Sequence, residues 1–194
     1  MATLPRVSVG EVIRNADRLA ALRRLVLLDR AATPTFDRVT TLAAHVLEAP
    51  IALLTLVDED RQFFLSAWGL PEPIASARET NLEYSICQHA IARGRPLIVS
   101  DATADPVLAT NNAVTELGIT SYAGVPLVTG EGHAVGTLCV LDFVRREWPD
   151  EGVTLLGHLA DIAMDEIRLH FFDRLAARRR QWRGVGTWAG RRND

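Results

Sequence analysis

The sequence contains no lysine, so all 21 of its basic side chains are arginine. With its many alanines, this reads as GC-rich coding rather than chemistry. Only two cysteines are present, Cys87 and Cys139. That is too few for a disulfide framework, and a reduced cytoplasmic thiol pair is expected. No apolar run approaches the roughly 18–20 residues that span a bilayer. The opening residues lead into a charged helix rather than an apolar signal core, so neither membrane insertion nor export is expected. Also missing are the G-x-x-x-x-G-K-[ST] phosphate loop, the G-x-G-x-x-G dinucleotide turn and the G-x-S-x-G nucleophile elbow. Neither C-x-x-C nor H-x-x-x-H occurs, which argues against a metal site. The expectation is a chain with no catalytic role of its own.

At 194 residues with 48% apolar side chains, the chain can bury a core and is not disordered overall. Charge is unevenly spread. From Arg168 onward eight arginines face only Asp173 and Asp194, leaving an acidic body before them. The run Arg178–Arg180 beside Trp182 and Trp188 raises nucleic-acid interaction as one alternative. A solvated, disordered tail over 176–194 is the preferred reading, because one short basic run is weak evidence beside an acidic body.

Hydrophobic periodicity predicts the elements. Residues 10–32 read as a helix carrying Val12, Leu19 and Val26 at heptad spacing. A second helix is expected over 37–48, ended by Pro50. The run 51–57 is short, apolar and rich in β formers, as a central strand is, and 62–68 returns as its hairpin partner. Residues 69–77 read as loop, 84–93 as a helix ended at Gly94, and 97–100 as a strand. Residues 102–117 read as loop plus helix. Residues 120–128 and 134–142 form a second hairpin across the turn at 129–132. A long final helix follows Pro149 to about Arg178, with Leu155, Ile162 and Leu169 again seven apart. Two hairpins imply an α+β fold, a largely antiparallel sheet with helices on both faces.

Three segments share one spacing logic. They are Tyr84-Ser-Ile-Cys-Gln-His-Ala-Ile91, then Pro96-Leu-Ile-Val-Ser-Asp-Ala102, then Ser121-Tyr-Ala-Gly-Val-Pro-Leu127 with Gly136-Thr-Leu-Cys-Val-Leu-Asp142. Together they resemble a GAF domain, the small-molecule-binding sensory module of bacterial signalling proteins. The likeness covers about 37–171. It implies a GAF-like (PAS/profilin-like) sheet; with the periodicity and charge already described, the expected division is a dimerisation or signalling helix over 1–32, the GAF domain over 33–175 and a basic tail over 176–194. It also implies a cavity between sheet and helices, near which Phe64, Trp68, Tyr84, Cys87, Asp101, Tyr122 and Cys139 are placed. The ligand is unknown, and a signalling partner protein is a possible output.

Bilin-binding members attach the chromophore through a cysteine directly before a histidine. Here Gln88 separates Cys87 from His89, which argues against a bilin, and nothing beyond His89 supports a haem. A thiol-dependent reductase of the methionine sulfoxide type is the enzymatic alternative, weakened by the absence of a third cysteine. Cys87 and Cys139 sit among apolar neighbours with no arginine or helix N-terminus evident beside them, and are expected to be structural. Ser85, His89 and Asp101 resemble a hydrolase triad by coincidence only. In the strand 120–128, Ala123 and Gly124 leave room for another group to approach the backbone. Homodimerisation is expected through the first and last helices.

Overall fold

The computed structural model describes residues 8–31 and 33–185. Its centre is a six-stranded antiparallel sheet in the order β3-β2-β1-β6-β5-β4. The strands are β1 (Ile51–Val57), β2 (Arg61–Trp68), β3 (Glu79–Asn81), β4 (Leu97–Val99), β5 (Ser121–Val128) and β6 (Ala134–Asp142). The two predicted inner strands, β1 and β6, lie side by side at the centre, and every residue of β1 is buried. The edge strand β3 was missed because three residues are too few to show alternation.

Side-chain alternation divides the core into two layers. One face carries Ala52, Leu54 and Leu56 from β1 with Leu138 and Val140 from β6. Against it pack α2 (Ala16–Leu25), α3 (Pro34–Val46) and α7 (Asp150–Val185). The other face carries Ile51, Leu53 and Val57 with Cys139, Leu141 and Tyr122. It is covered by α1 (Val9–Ile13), α4 (Ile74–Ala77), α5 (Cys87–Arg93), α6 (Asn112–Thr115) and the loops between them.

The predicted helix over 10–32 is two helices. Ser8 and Glu11 form a capping box for α1, and Asn15 caps α2 by accepting from the backbone N–H of Arg18. The break is held by Arg18, which is only 3% exposed. Its Nε donates to the carbonyl of Ile13 at 3.0 Å, and Nη1 donates to that of Val57, at the end of β1, at 2.8 Å. The chain therefore crosses from one layer to the other around the sheet end. Ile13 serves one core, while Leu19 and Leu22 serve the opposite one.

This overturns the N-terminal half of the expected dimer seam. Leu19 is buried in the protein's own core, and the positive φ of Val26 (53°) ends α2. The final helix fits its expectation better. Leu156, Ala160, Ala163 and Ile167 face the core, whereas Leu155, Ile162 and Leu169 are exposed by 39%, 54% and 59%. The helix runs to Val185, past Arg178 where the sequence placed its end. Residues 186–194, with Trp188, Arg191 and Arg192, lie outside the described residues, as do the side chains of Arg178–Arg180, Trp182 and Arg183. Among the described residues, no helix is long and apolar enough to cross a membrane.

Candidate functional site

A cavity of about 80 Å³ opens on the second face of the sheet, between β1, β2, β5 and β6 below and the α4 and α6 segments above. Its floor is Ile51, Leu53, Phe64, Tyr122 and Leu141, and its sides include Leu70, Ile74, Ile86, Cys87, Ala113, Leu117 and Ile119. Buried Gln62 and the partly exposed Thr80 and Tyr84 supply its polar groups, and no aspartate, glutamate, arginine or histidine lines the cavity. Such a wall does not compensate an ionised ligand, since burying an unpaired charge costs several kcal/mol.

The polar groups are held in place by their neighbours. Ser85, fully buried, donates to Gln62 Oε1 at 2.8 Å and accepts from the backbone of Gln88 at 3.2 Å. Gln88 Nε2 donates to the carbonyls of Leu82 at 2.7 Å and Ser85 at 2.9 Å. Asn111, which caps α6, donates to the same Ser85 carbonyl at 3.4 Å. At the rim, the Tyr84 hydroxyl donates to the Glu116 carboxylate, a bond that raises the tyrosine pKa.

Of the seven residues placed near the cavity from sequence, Phe64, Tyr84, Cys87 and Tyr122 line it. Cys139 lies directly behind, fully buried, its Sγ 3.7 Å from that of Cys87. Trp68 does not reach it. A bulge in β2 pairs Leu54 with Ser66 but Thr55 with Phe64, which reverses the facing of the strand beyond Leu65. Ser66 then bonds Thr40 and Asp37 of α3, and Trp68 follows it to meet the His45 ring at a tilt of 57°, with ring centroids 5.3 Å apart. Asp101 is also elsewhere, its Oδ1 accepting from the backbone of Thr103 at 3.0 Å and from its hydroxyl. With Ser85 committed to Gln62 and Asp101 to Thr103, the apparent triad is not assembled.

Gln62 was missed by the sequence reading. Its position two residues before Phe64 in the same strand was the available signal, because alternate residues share a face. The small residues of β5 admit a neighbour from their own strand, since the ring approaching Gly124 is that of Tyr122.

Beneath the cavity the two thiols form a polar cluster inside an apolar layer. The Tyr122 hydroxyl donates to Cys87 Sγ at 3.6 Å, and the Thr55 and Thr137 hydroxyls meet at 3.0 Å across the central strand pair. Burial pushes the Cys87 thiol up, but hydrogen bonds from Cys139, Thr137, Tyr122 and Thr55 outweigh it and bring it to about 7. Cys139 goes the other way, raised by burial and then by its bond to Cys87. The sequence placed Cys87 inside a helix over 84–93, whereas α5 begins at Cys87 itself after a 3₁₀ turn at Leu82–Tyr84. Among the described residues, no group of three or more His, Cys, Asp or Glu side chains could hold a metal.

The model of the GAF domain family matches residues 32–167. The chain belongs to the GAF domain family. A cyclic di-GMP phosphodiesterase of Pseudomonas aeruginosa is 36% identical over 152 residues, covering 77% of this chain and 25% of its own length. A Nif-specific regulatory protein of Azorhizobium caulinodans is 26% identical over 175 residues, covering 87% of this chain and 27% of its own. The chain thus spans about a quarter of the length of these relatives. Among solved structures, the GAF domain from an Acinetobacter phosphoenolpyruvate-protein phosphotransferase superposes with a TM-score of 0.57 at 16% identity, covering 79% of this chain and 94% of that one. GAF domains of this kind occur in sensor and regulatory proteins.

Proposed function

We propose that this chain is a non-catalytic sensory GAF module that binds a small uncharged molecule between its sheet and the α4–α6 segments. The observation that carries this reading is the cavity, apolar on its floor and sides, with Gln62, Thr80, Tyr84 and Tyr122 as its hydrogen-bonding groups. A site of that composition favours a compact neutral ligand with one or two polar atoms over a nucleotide or an amino-acid zwitterion. Neither relative's name transfers to this chain, since each match occupies about a quarter of the relative's length. The output passes to a partner protein or to a second copy through α7, whose exposed heptad residues suit a cytoplasmic homodimer.

The reading is tested by native mass spectrometry of protein purified from its own host, followed by backbone-amide NMR with the retained compound. Shifts centred on Phe64, Ile86 and Ile119 are expected with a neutral ligand. Saturable binding of a cyclic nucleotide with no response at those amides would overturn it. Turnover of free methionine sulfoxide would instead establish the thiol-dependent reductase, the reading that the proximity of the two thiols supports second.

A further inference from the structure

The cavity wall and the thiol pair behind it share one side chain, Cys87. Its Sγ lies 3.7 Å from Cys139 Sγ and accepts from the Tyr122 hydroxyl at 3.6 Å. The two cysteines belong to different elements, one opening α5 and the other in the central strand β6. A disulfide needs its sulfurs at about 2.05 Å, so bonding asks for an approach of under 2 Å between side chains already in contact. Cys139 is fully buried and does not line the cavity, whereas Cys87 does, so a reagent that enters meets Cys87 first.

We propose that Cys87 and Cys139 form a hydroperoxide-driven, thiol-reversible disulfide, with Cys87 as the reacting thiol and Cys139 as the resolving one. The largely apolar cavity admits a neutral R–O–O–H molecule, and its size suits hydrogen peroxide or a short alkyl hydroperoxide. Cys87 sulfur attacks the terminal peroxide oxygen and the O–O bond breaks. The alkoxide (hydroxide for hydrogen peroxide) leaves with the thiol proton as R–OH, and Cys87 becomes a sulfenic acid. Cys139 sulfur then attacks Cys87 Sγ, the S–S bond forms, and the hydroxyl leaves with the Cys139 proton as water. In sum, two thiols and one hydroperoxide give a disulfide, an alcohol and water, with the sulfurs oxidised by two electrons and the peroxide reduced by two. A small-molecule thiol reverses the bond by exchange.

The hydrogen bonds at Cys87 favour its thiolate, while burial holds the Cys139 thiol up, the same order in which the two are reached from the cavity. Tyr122 is a positioning residue that holds the Cys87 sulfur toward the central strands. The bond would staple α5 to β6 beneath the cavity, which makes the oxidation state of the protein a second input to the same site.

The test treats the reduced full chain with hydrogen peroxide in one arm and tert-butyl hydroperoxide in the other, followed by intact mass and non-reducing peptide mapping. The expected result is loss of two hydrogens, with the Cys87 peptide joined to the Cys139 peptide of the same chain. In Cys139→Ser, dimedone should trap a sulfenic acid on Cys87, at least about tenfold more than on Cys139 in Cys87→Ser. Tyr122→Phe should move the pH profile of oxidation upward while leaving the product unchanged. Persistence of both free thiols, bridges between chains, or preferential labelling of Cys139 would each overturn the proposal. Binding of a neutral ligand can be measured separately on Cys139→Ser, so the cavity reading and the disulfide stand or fall apart.

Discussion

The ring of Tyr122 lies folded over Gly124, its neighbour two residues along the same strand. A methyl group built on Gly124 would sit 2.1 Å from the Tyr122 hydroxyl oxygen and 2.5 Å from the carbon that bears it. Because the ring is fully buried, it cannot yield without disturbing Cys87 and the cavity floor. Gly124→Ala should therefore destabilise the protein by about 1–3 kcal/mol. Urea unfolding would show this, and a Gly124→Ala, Tyr122→Leu double variant should recover part of the loss.

Arg18→Leu should be among the most damaging single changes away from the cavity. It leaves the carbonyls of Ile13 and Val57 without their buried donor where the chain rounds the sheet end. Removing a buried hydrogen-bonded cation of this kind costs about 3 kcal/mol or more. The expected signature is a lowered urea midpoint with faster amide exchange in α1 and α2.

If α7 forms the proposed dimer, Ile162→Glu with Leu169→Glu should give a folded monomer, because both side chains are exposed on α7. Leu19→Glu should instead unfold the chain, because Leu19 belongs to the core between α2 and the sheet. Sedimentation equilibrium of the three proteins separates the cases. A monomeric parent at micromolar concentration would overturn the α7 dimer.

His89 should make the fold mildly acid-sensitive. Burial, reinforced by Arg93 and partly opposed by Asp105, holds its pKa below the ordinary 6.5. The unfolded chain takes up that proton first as the pH falls. The contribution is thus complete above 6.5 and declines as pH drops from 6.5 toward the lower folded value. His89→Gln should flatten the dependence of the urea midpoint on pH in that interval.

The architecture was legible from the sequence wherever periodicity ran long enough. The apolar run 51–57 and the hairpin across 129–132 sufficed to place the centre of the sheet. Errors arose where one local feature reset the period. The bulge after Phe64 turned Trp68 to the wrong face, a one-residue event that alternation alone does not reveal. Asn15 divided what looked like one amphipathic helix, because the 3.6-residue pattern of Val12, Leu19 and Leu22 survives a change of axis. At the cavity, large side chains in strands were found, whereas Gln62 and the wall from α6 needed the tertiary fold. The proximity of Cys87 to Cys139 across 52 positions was beyond any local pattern.

The length of α7 sets how far a local event travels. Its 36 residues correspond to about 54 Å of helix at 1.5 Å per residue. Among the described side chains Ile167 is the last of the helix buried in the main core, with His170 still packed on Phe36, and the helix from there to Val185 is roughly 22 Å long. Pivoting about its seat on β5 by about 5°, such a rod would carry its far end through roughly 2 Å, a displacement of the size that switches packing between neighbouring helices. The domain is in that sense a short lever base with a long arm. A change too small to alter the sheet could still be read at a distance.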